Sequence, residues 1–255
     1  MELLAGKIIF LTGGSTGIGF ECAKAYANAG ATVIIAANSE DSVKQAMTFL
    51  GPDHLGVLCD VSKAADVKNA IGLTIGKYGR IDAIHNNAGI AIPSKPLHET
   101  TDEEWQNLMD VNLRAVLYTT RFGFEALKNT RGSILNTSSL VGSIGQERHA
   151  AYTATKGALN ALTKSMALDY APYKIRVNAV LPAGAWTPML REWVKEQPEP
   201  EFTTAYLNDI HPLGDCPDGD VIADACVFLL SDMARFITGS TLPVSGGAEL
   251  GYRRT

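Results

Sequence analysis

KIIFLTGGSTGIG, Lys7 to Gly19, decides the fold of this chain. Lys7 to Leu11 is a short apolar run that opens directly into the glycine-rich TGGSTGIG, Thr12 to Gly19. Phe20 to Asn28 then has helical apolar spacing and stops near Gly30. An isolated glycine cluster is ordinarily just a tight turn. Strand, glycine turn and helix in that order are what a phosphate-binding loop requires: glycines let the backbone approach a pyrophosphate, and the helix start offers free N–H groups and a positive dipole end.

The same alternation continues along the chain. Ala31 to Ala37 predicts a second buried strand, followed by a helix from Ser42 to Leu50. His54 to Cys59 is a third strand with Asp60 and Val61 at its C-terminal edge, and Lys63 to Tyr78 has helical spacing. Ile81 to His85 is a fourth, leaving through NNAG, Asn86 to Gly89. A helical pattern begins at Thr101, where Thr101 and Glu104 are placed as a capping box, carries Asn112 and runs to about Lys128. Gly132 to Thr137 is a fifth strand ending in Ser138 and Ser139. A helix over Ala150 to Tyr170, a strand over Ile175 to Leu181, a helix over Val221 to Leu230 and a last strand over Thr241 to Val244 complete the pattern. The irregular stretch from Pro182 to about Pro217 is too long for a passive loop and predicts a lid with short helices of its own. The expected fold class is therefore α/β: a Rossmann-type doubly wound parallel sheet of about seven strands with helices on both faces and ligands at the strands' C-terminal ends.

Composition narrows the function classes. With 255 residues, 46% hydrophobic and 19% charged, the chain predicts a single soluble domain, residues 1–255, with the dinucleotide-binding part to about 135 and the catalytic and lid part after it. A net charge of -5 and a pI near 5.6 argue against nucleic-acid or anionic-membrane partners; only Arg253 and Arg254 are locally basic. Cys22, Cys59, Cys216 and Cys226 have no ligand-like spacing, so no metal is expected and the thiols read as buried groups in a reducing compartment. The first residues run straight into a strand pattern without a leader or long apolar run, which makes the cytoplasm the default location.

In SLVGSIGQERHAAYTATK, Ser139 to Lys156, a serine is followed by Tyr152 and, one helical turn later, Lys156. A tyrosine and lysine at this spacing are ordinarily a surface pair. Beside a nucleotide they gain another meaning, because a fixed ammonium favours phenolate, and a tyrosine acting near neutrality needs its pKa lowered by roughly two to three units.

Taken in order, TGGSTGIG, Asp60-Val61, NNAG, Asn112, Ser139, Tyr152, Lys156, RVNAV (Arg176 to Val180) and Thr187-Pro188 resemble the short-chain dehydrogenase/reductase family over nearly the whole chain. The resemblance implies an NAD(P)-dependent oxidoreductase acting on CH–OH groups. Tyr152 would be the acid/base, Lys156 would tune it and bind the nicotinamide ribose, Ser139 would orient the substrate oxygen, and Asn112 would hold a relay water. It implies cofactor contacts at Gly13, Ser15, Thr16, Gly17, Ile18, Gly19, Asn38, Asp60, Val61, Asn87, Ala88, Gly89, Tyr152, Lys156, Pro182, Ala185 and Thr187. It also implies a homotetramer or homodimer packed through the Asn112 and Tyr152 helices. The chain departs from the pattern at Ala183, where the family usually has glycine, and at Ala185, Asp215 and Ser245.

Within the family, SSLVGSIGQ, Trp186 to Pro188 and the closing GGAELGY resemble L-fucose (aldose) dehydrogenases and an allied hydroxysteroid dehydrogenase. The expected substrate is a small secondary alcohol or carbonyl, a sugar such as L-fucose first, bound by Ser139, Gln146, His149, Tyr152 and Trp186. Gln146 could equally lie on a solvated loop with Glu147 and Arg148, Trp186 in lid packing, and His149 at the helix start with no ligand. The alternatives are a reductase of 3-oxoacyl thioesters and, from another class, a non-catalytic nucleotide-binding protein. For the cofactor, Ala37, Asn38 and Ser39 supply neither the carboxylate that accepts a 2′-hydroxyl nor the base that attracts a 2′-phosphate. NAD(P)(H) is expected, with the balance tipped slightly to NADP(H).

Overall fold

The computed structural model describes residues 2–250; Gly251, Tyr252, Arg253 and Arg254, noted above, lie outside them. Strands β1 (Ile8–Thr12), β2 (Thr32–Ala37), β3 (Leu55–Leu58), β4 (Ala83–Asn86), β5 (Ser133–Thr137), β6 (Arg176–Pro182) and β7 (Thr241–Val244) form a seven-stranded sheet. The order is β3-β2-β1-β4-β5-β6-β7, and every neighbouring pair is parallel. The chain builds outward from β1 to β3 and then returns to lay β4 against the other side of β1. That reversal opens a crevice at the C-terminal ends of β1 and β4, where Thr12 and Asn86 stand.

Both faces of the sheet are covered, which is why the strands read as continuous apolar runs. Ile9 and Leu11 of β1 enter one core with α1 (Gly17–Asn28) and α9 (Asp220–Leu230), while Ile8 and Phe10 enter the other. The second core is closed by α3 (Ala64–Tyr78), α5 (Ala115–Thr130) and α6 (Ala150–Tyr170). Helix α2 (Glu40–Leu50) follows β2. A buried polar ladder fastens α5 and α6 across the sheet: Thr119 Oγ1 donates to Asn86 Oδ1 at 2.6 Å, Asn86 Nδ2 to Asn136 Oδ1 at 2.9 Å, and Asn136 Nδ2 to Thr163 Oγ1 at 2.9 Å.

The helix expected to run unbroken from Thr101 to about Lys128 is interrupted. The capping box at Thr101 and Glu104 starts α4 (Asp102–Met109), a π-helical turn occupies Asp110–Arg114, and α5 resumes after it. The wider turn coincides with Asn112, whose amide is held by backbone outside the helix; π-turns of this kind concentrate at functional sites. The Pro182 to Pro217 segment carries two short helices, α7 (Pro188–Lys195) and α8 (Pro200–Asp209). They close on a small core of Val194, Leu207 and Cys216 with Trp186, Leu190, Trp193 and Ile210 against it.

Candidate active site

One wall of the crevice is made of two glycine turns packed backbone on backbone. Gly13 has φ 63°, and a Cβ there would lie 2.8 Å from Ala88 Cα; a Cβ on Gly19 would lie 2.0 Å from the Gly13 carbonyl oxygen. Thr12 Oγ1 accepts the N–H groups of Asn87 and Ala88 at 3.0 and 3.1 Å. Asn87 Nδ2 donates back to the carbonyls of Thr12 and Gly13 at 3.2 and 3.1 Å. The Asn87 side chain, expected among the cofactor contacts, is thus occupied in holding the glycine loop.

These bonds fix the direction of a buried chain behind the wall. With Nδ2 donating, Asn87 Oδ1 accepts from Thr137 Oγ1 at 3.2 Å, so that hydroxyl accepts from His85 Nε2 at 2.8 Å. His85 Nδ1 then accepts from the Tyr26 hydroxyl at 2.8 Å. Cys22 and Cys226, far apart in sequence, meet His85 here, with the potential ligand atoms within 4.8 Å of one another. Both imidazole nitrogens are already engaged by the protein.

The rest of the nucleotide wall fits an anion followed by a ribose. Thr16 is extended and makes no side-chain cap, so the first N–H groups of α1 have no side-chain acceptor from it. Gly17 takes φ 55° and lies beside Thr187, whose hydroxyl caps α7 through Leu190 N at 3.1 Å and so links the lid to the loop. Ile18 packs against the β1 core, and Ser15 Oγ meets Ser42 Oγ at 2.9 Å. At the end of β2, Asn38 is exposed, while Ser39 caps α2 and is followed by Glu40 and Asp41. Partial burial raises the Asp60 carboxyl, but hydrogen bonds from Ser62 and the Lys63 ammonium outweigh it and hold the group below its ordinary value. Val61, Pro182 and Ala185 are buried.

The chemistry-bearing residues converge beside this wall. Lys156 is buried, and its ammonium donates to the Thr137 carbonyl at 2.8 Å and lies 5.7 Å from the Tyr152 ring centre. Gly89 makes room: a Cβ there would stand 3.3 Å from Asn112 Oδ1 and 3.5 Å from Lys156 Nζ. Asn112 accepts from Ile90 N at 2.8 Å and donates to Ile90 O at 2.9 Å and Thr155 Oγ1 at 3.1 Å. Its amide therefore clamps the backbone after Gly89 to α6. Ser139 Oγ accepts from Val141 N at 3.4 Å and acts on the Tyr152 phenol by lowering its pKa.

Burial pushes Tyr152 above its ordinary pKa and outweighs the lowering effect of Ser139, although the side chain keeps some contact with solvent. Burial also brings Lys156 down to about 8. Desolvation disfavours the charged form of each group, phenolate and ammonium alike.

On the substrate side, Gln146 is exposed on the turn before α6, and no described residue takes its side chain. His149 is buried at the start of α6 and meets the Tyr152 ring edge-on at 6.4 Å. Trp186 sits in the lid: its backbone N–H donates to Pro217 O at 2.7 Å, and Arg191 lies 5.0 Å over its ring. A different tryptophan, Trp193 of α7, reaches the site and meets His149 edge-on at 6.5 Å.

Comparison with known proteins agrees with this geometry. The family described as enoyl-(acyl carrier protein) reductase matches residues 13–249. Bovine (Bos taurus) L-fucose dehydrogenase is 40% identical over 250 residues, covering 98% of this chain and 92% of the relative. The chain belongs to the short-chain dehydrogenase/reductase family. It is an oxidoreductase acting on CH–OH groups. A second relative in this family, 2,5-dichloro-2,5-cyclohexadiene-1,4-diol dehydrogenase of Sphingobium indicum, is 35% identical over 97% of this chain and 98% of its own. The crystal structure of 3-ketoacyl-(acyl-carrier-protein) reductase from Brucella melitensis, complexed with NADH, superposes with a TM-score of 0.88 at 33% identity, covering 96% of this chain and 99% of that one. A nicotinamide cofactor is thereby supported. Among the described residues no helix is long and apolar enough to cross a membrane.

Three contributors to this dehydrogenase site escaped the sequence. His85 stood as a lone histidine in an apolar strand immediately before NNAG, which is the signal that could have marked it. Thr137 closed the fifth strand unnoticed, yet its carbonyl holds Lys156 and its hydroxyl holds Asn87. Trp193 looked like any lid aromatic.

Proposed function

We propose that the chain is an NAD(P)-dependent dehydrogenase that oxidises a secondary alcohol or hemiacetal of a small sugar, an L-fucose-like aldose going to its lactone, with Tyr152 as acid/base. The observation that carries this reading is the convergence of Ser139, Tyr152 and Lys156 beside the double-glycine wall, with 40% identity to an L-fucose dehydrogenase pointing to the substrate class.

The residues fit a dinucleotide. Gly13 and Gly17 take backbone conformations open to glycine, Gly89 leaves space in front of Lys156, and α1 begins without a side-chain cap. Gly13 to Gly19 would hold the pyrophosphate, Asp60 and Val61 the adenine side, Asn38 the ribose beyond β2, and Lys156 the nicotinamide ribose. When bound, the nicotinamide supplies or accepts the hydride. Tyr152 takes the hydroxyl proton in oxidation and returns it in reduction, and Ser139 orients the reacting oxygen. Protonated Lys156 lowers the phenol from its raised resting value, and a water beyond Asn112 passes the proton on. Asn38 is neutral and Ser39 is engaged in capping, so NAD(H) and NADP(H) are both accepted, with the balance slightly toward NADP(H).

The protein works as a cytoplasmic homotetramer or homodimer through α5 and α6, on which Leu117 and Leu168 leave apolar surface exposed. A panel of aldoses, polyols, steroids and 3-oxoacyl thioesters, followed by nucleotide absorbance with each cofactor, tests the reading. Turnover of aldoses is expected. Turnover of thioesters alone would transfer the assignment to the ketoacyl reductases.

A further inference from the structure

Two polar atoms on the rings that lead from the lid to Tyr152 have no protein partner, and their chemistry is complementary. We propose that Trp193 Nε1 and His149 Nε2 form a donor–acceptor pair that reads a hydroxyl on the carbon next to the reacting one, making the preferred substrate a vicinal diol or polyol. This deepens the dehydrogenase reading above and rests on it.

The acceptor is fixed by its neighbour. His149 Nδ1 lies 3.0 Å from the Glu147 carbonyl oxygen, which can only accept, so Nδ1 carries the proton and the neutral ring keeps a lone pair on Nε2. No described residue hydrogen-bonds Nε2. The donor is fixed by its type. An indole N–H can only donate, and that of Trp193 is buried among the described residues without an acceptor. Buried polar atoms are nearly always paired, so an orphan beside an active site calls for an explanation.

Position links both atoms to the chemistry. The three rings form one edge-on series, with Trp193 to His149 at 6.5 Å and His149 to Tyr152 at 6.4 Å. His149 is held at the start of α6 and Trp193 on lid helix α7, so the pair spans the line along which the lid meets the catalytic helix. A hydroxyl can accept from the indole and donate to the imidazole at once. A thioester, ether or ketone oxygen can only accept and leaves Nε2 unanswered. The pair thus favours a polyol over an acyl thioester, a distinction that the catalytic residues do not make.

The test uses the full-length enzyme with a vicinal cyclohexanediol and cyclohexanol as matched probes. Trp193→Phe keeps the ring and removes the N–H; His149→Phe keeps the edge contact and removes the lone pair. Each variant is expected to raise KM for the diol by about tenfold more than it raises KM for the mono-alcohol, with the loss in KM rather than in kcat. The double variant should cost no more than either single one, because both atoms read the same hydroxyl. Equal shifts for both alcohols, or no shift for either, would overturn the pair. If the wild type oxidises no alcohol with either nucleotide, the dehydrogenase reading fails instead. Calorimetric binding of the diol then decides the pair: binding lost in Trp193→Phe supports it, while unchanged or absent binding rejects it.

Discussion

On the nucleotide wall, Thr12 to Gly19 against Asn86 to Gly89, every buried side-chain polar atom among the described residues has a partner, and backbone packs on backbone. The lid across the cleft has a small core of three buried residues, Val194, Leu207 and Cys216, exposes Met189, Phe202, Tyr206 and Leu213, and leaves Trp193 Nε1 and His211 Nε2 buried without partners. The first region is over-determined, as a surface that must hold one fixed ligand needs to be. The second is loosely held, which suits a segment that opens and is completed by its substrate. Reaction class and substrate choice are thus separated in space, and changes on one wall should leave the other's role intact.

The largest effect on stability should come from the tight wall. Gly19→Ala drives a methyl into the Gly13 carbonyl and is expected to cost about 3 kcal/mol, the upper end for overpacking. Denaturant unfolding and nucleotide titration should both register it; unchanged nucleotide affinity would show that the two turns need not touch. Next comes Lys156. Its folded pKa of about 8 lies below the unfolded 10.5, so the fold bears the cost of a buried ammonium below pH 8. As pH rises from about 8, the native state releases its proton first and stability climbs. Above pH 10 the raised Tyr152 acts in the opposite sense, because the unfolded phenol ionises first. Between pH 8 and 10 wild type should gain roughly 2 kcal/mol that Lys156→Met lacks. Parallel pH profiles for the two would refute the burial of the charge. The smallest effect should come from the lid: Leu207→Ala is expected to shift global stability by under about 1 kcal/mol, because the lid opens before the sheet does. It should raise substrate KM while leaving nucleotide affinity unchanged, and a full-sized loss of global stability would erase the contrast between the walls.

The contrast also explains what could be read in the sequence. Strand and helix periods follow from local patterning, so α6 and β7 stand at the predicted residues and the other shared elements move by only one to three. Glycine turns mark themselves by composition. The π-turn at Asn112 was not legible, because one wider turn leaves the flanking apolar spacing nearly unchanged and its cause, the Ile90 backbone, lies 22 residues away. The meeting of His85, Tyr26 and Thr137 depends on strand order, which no local pattern encodes. In the lid the sequence offered two tryptophans, and only tertiary packing separates Trp186, stacked under Arg191, from Trp193 beside His149.

All of this rests on Tyr152 doing proton chemistry at the junction of the two walls. Tyr152→Phe keeps the ring and its contact with His149 and removes only the hydroxyl. Its turnover of L-fucose with the preferred nucleotide should fall by about 10²–10⁴-fold while nucleotide affinity stays at the wild-type value. Undiminished turnover would contradict the account.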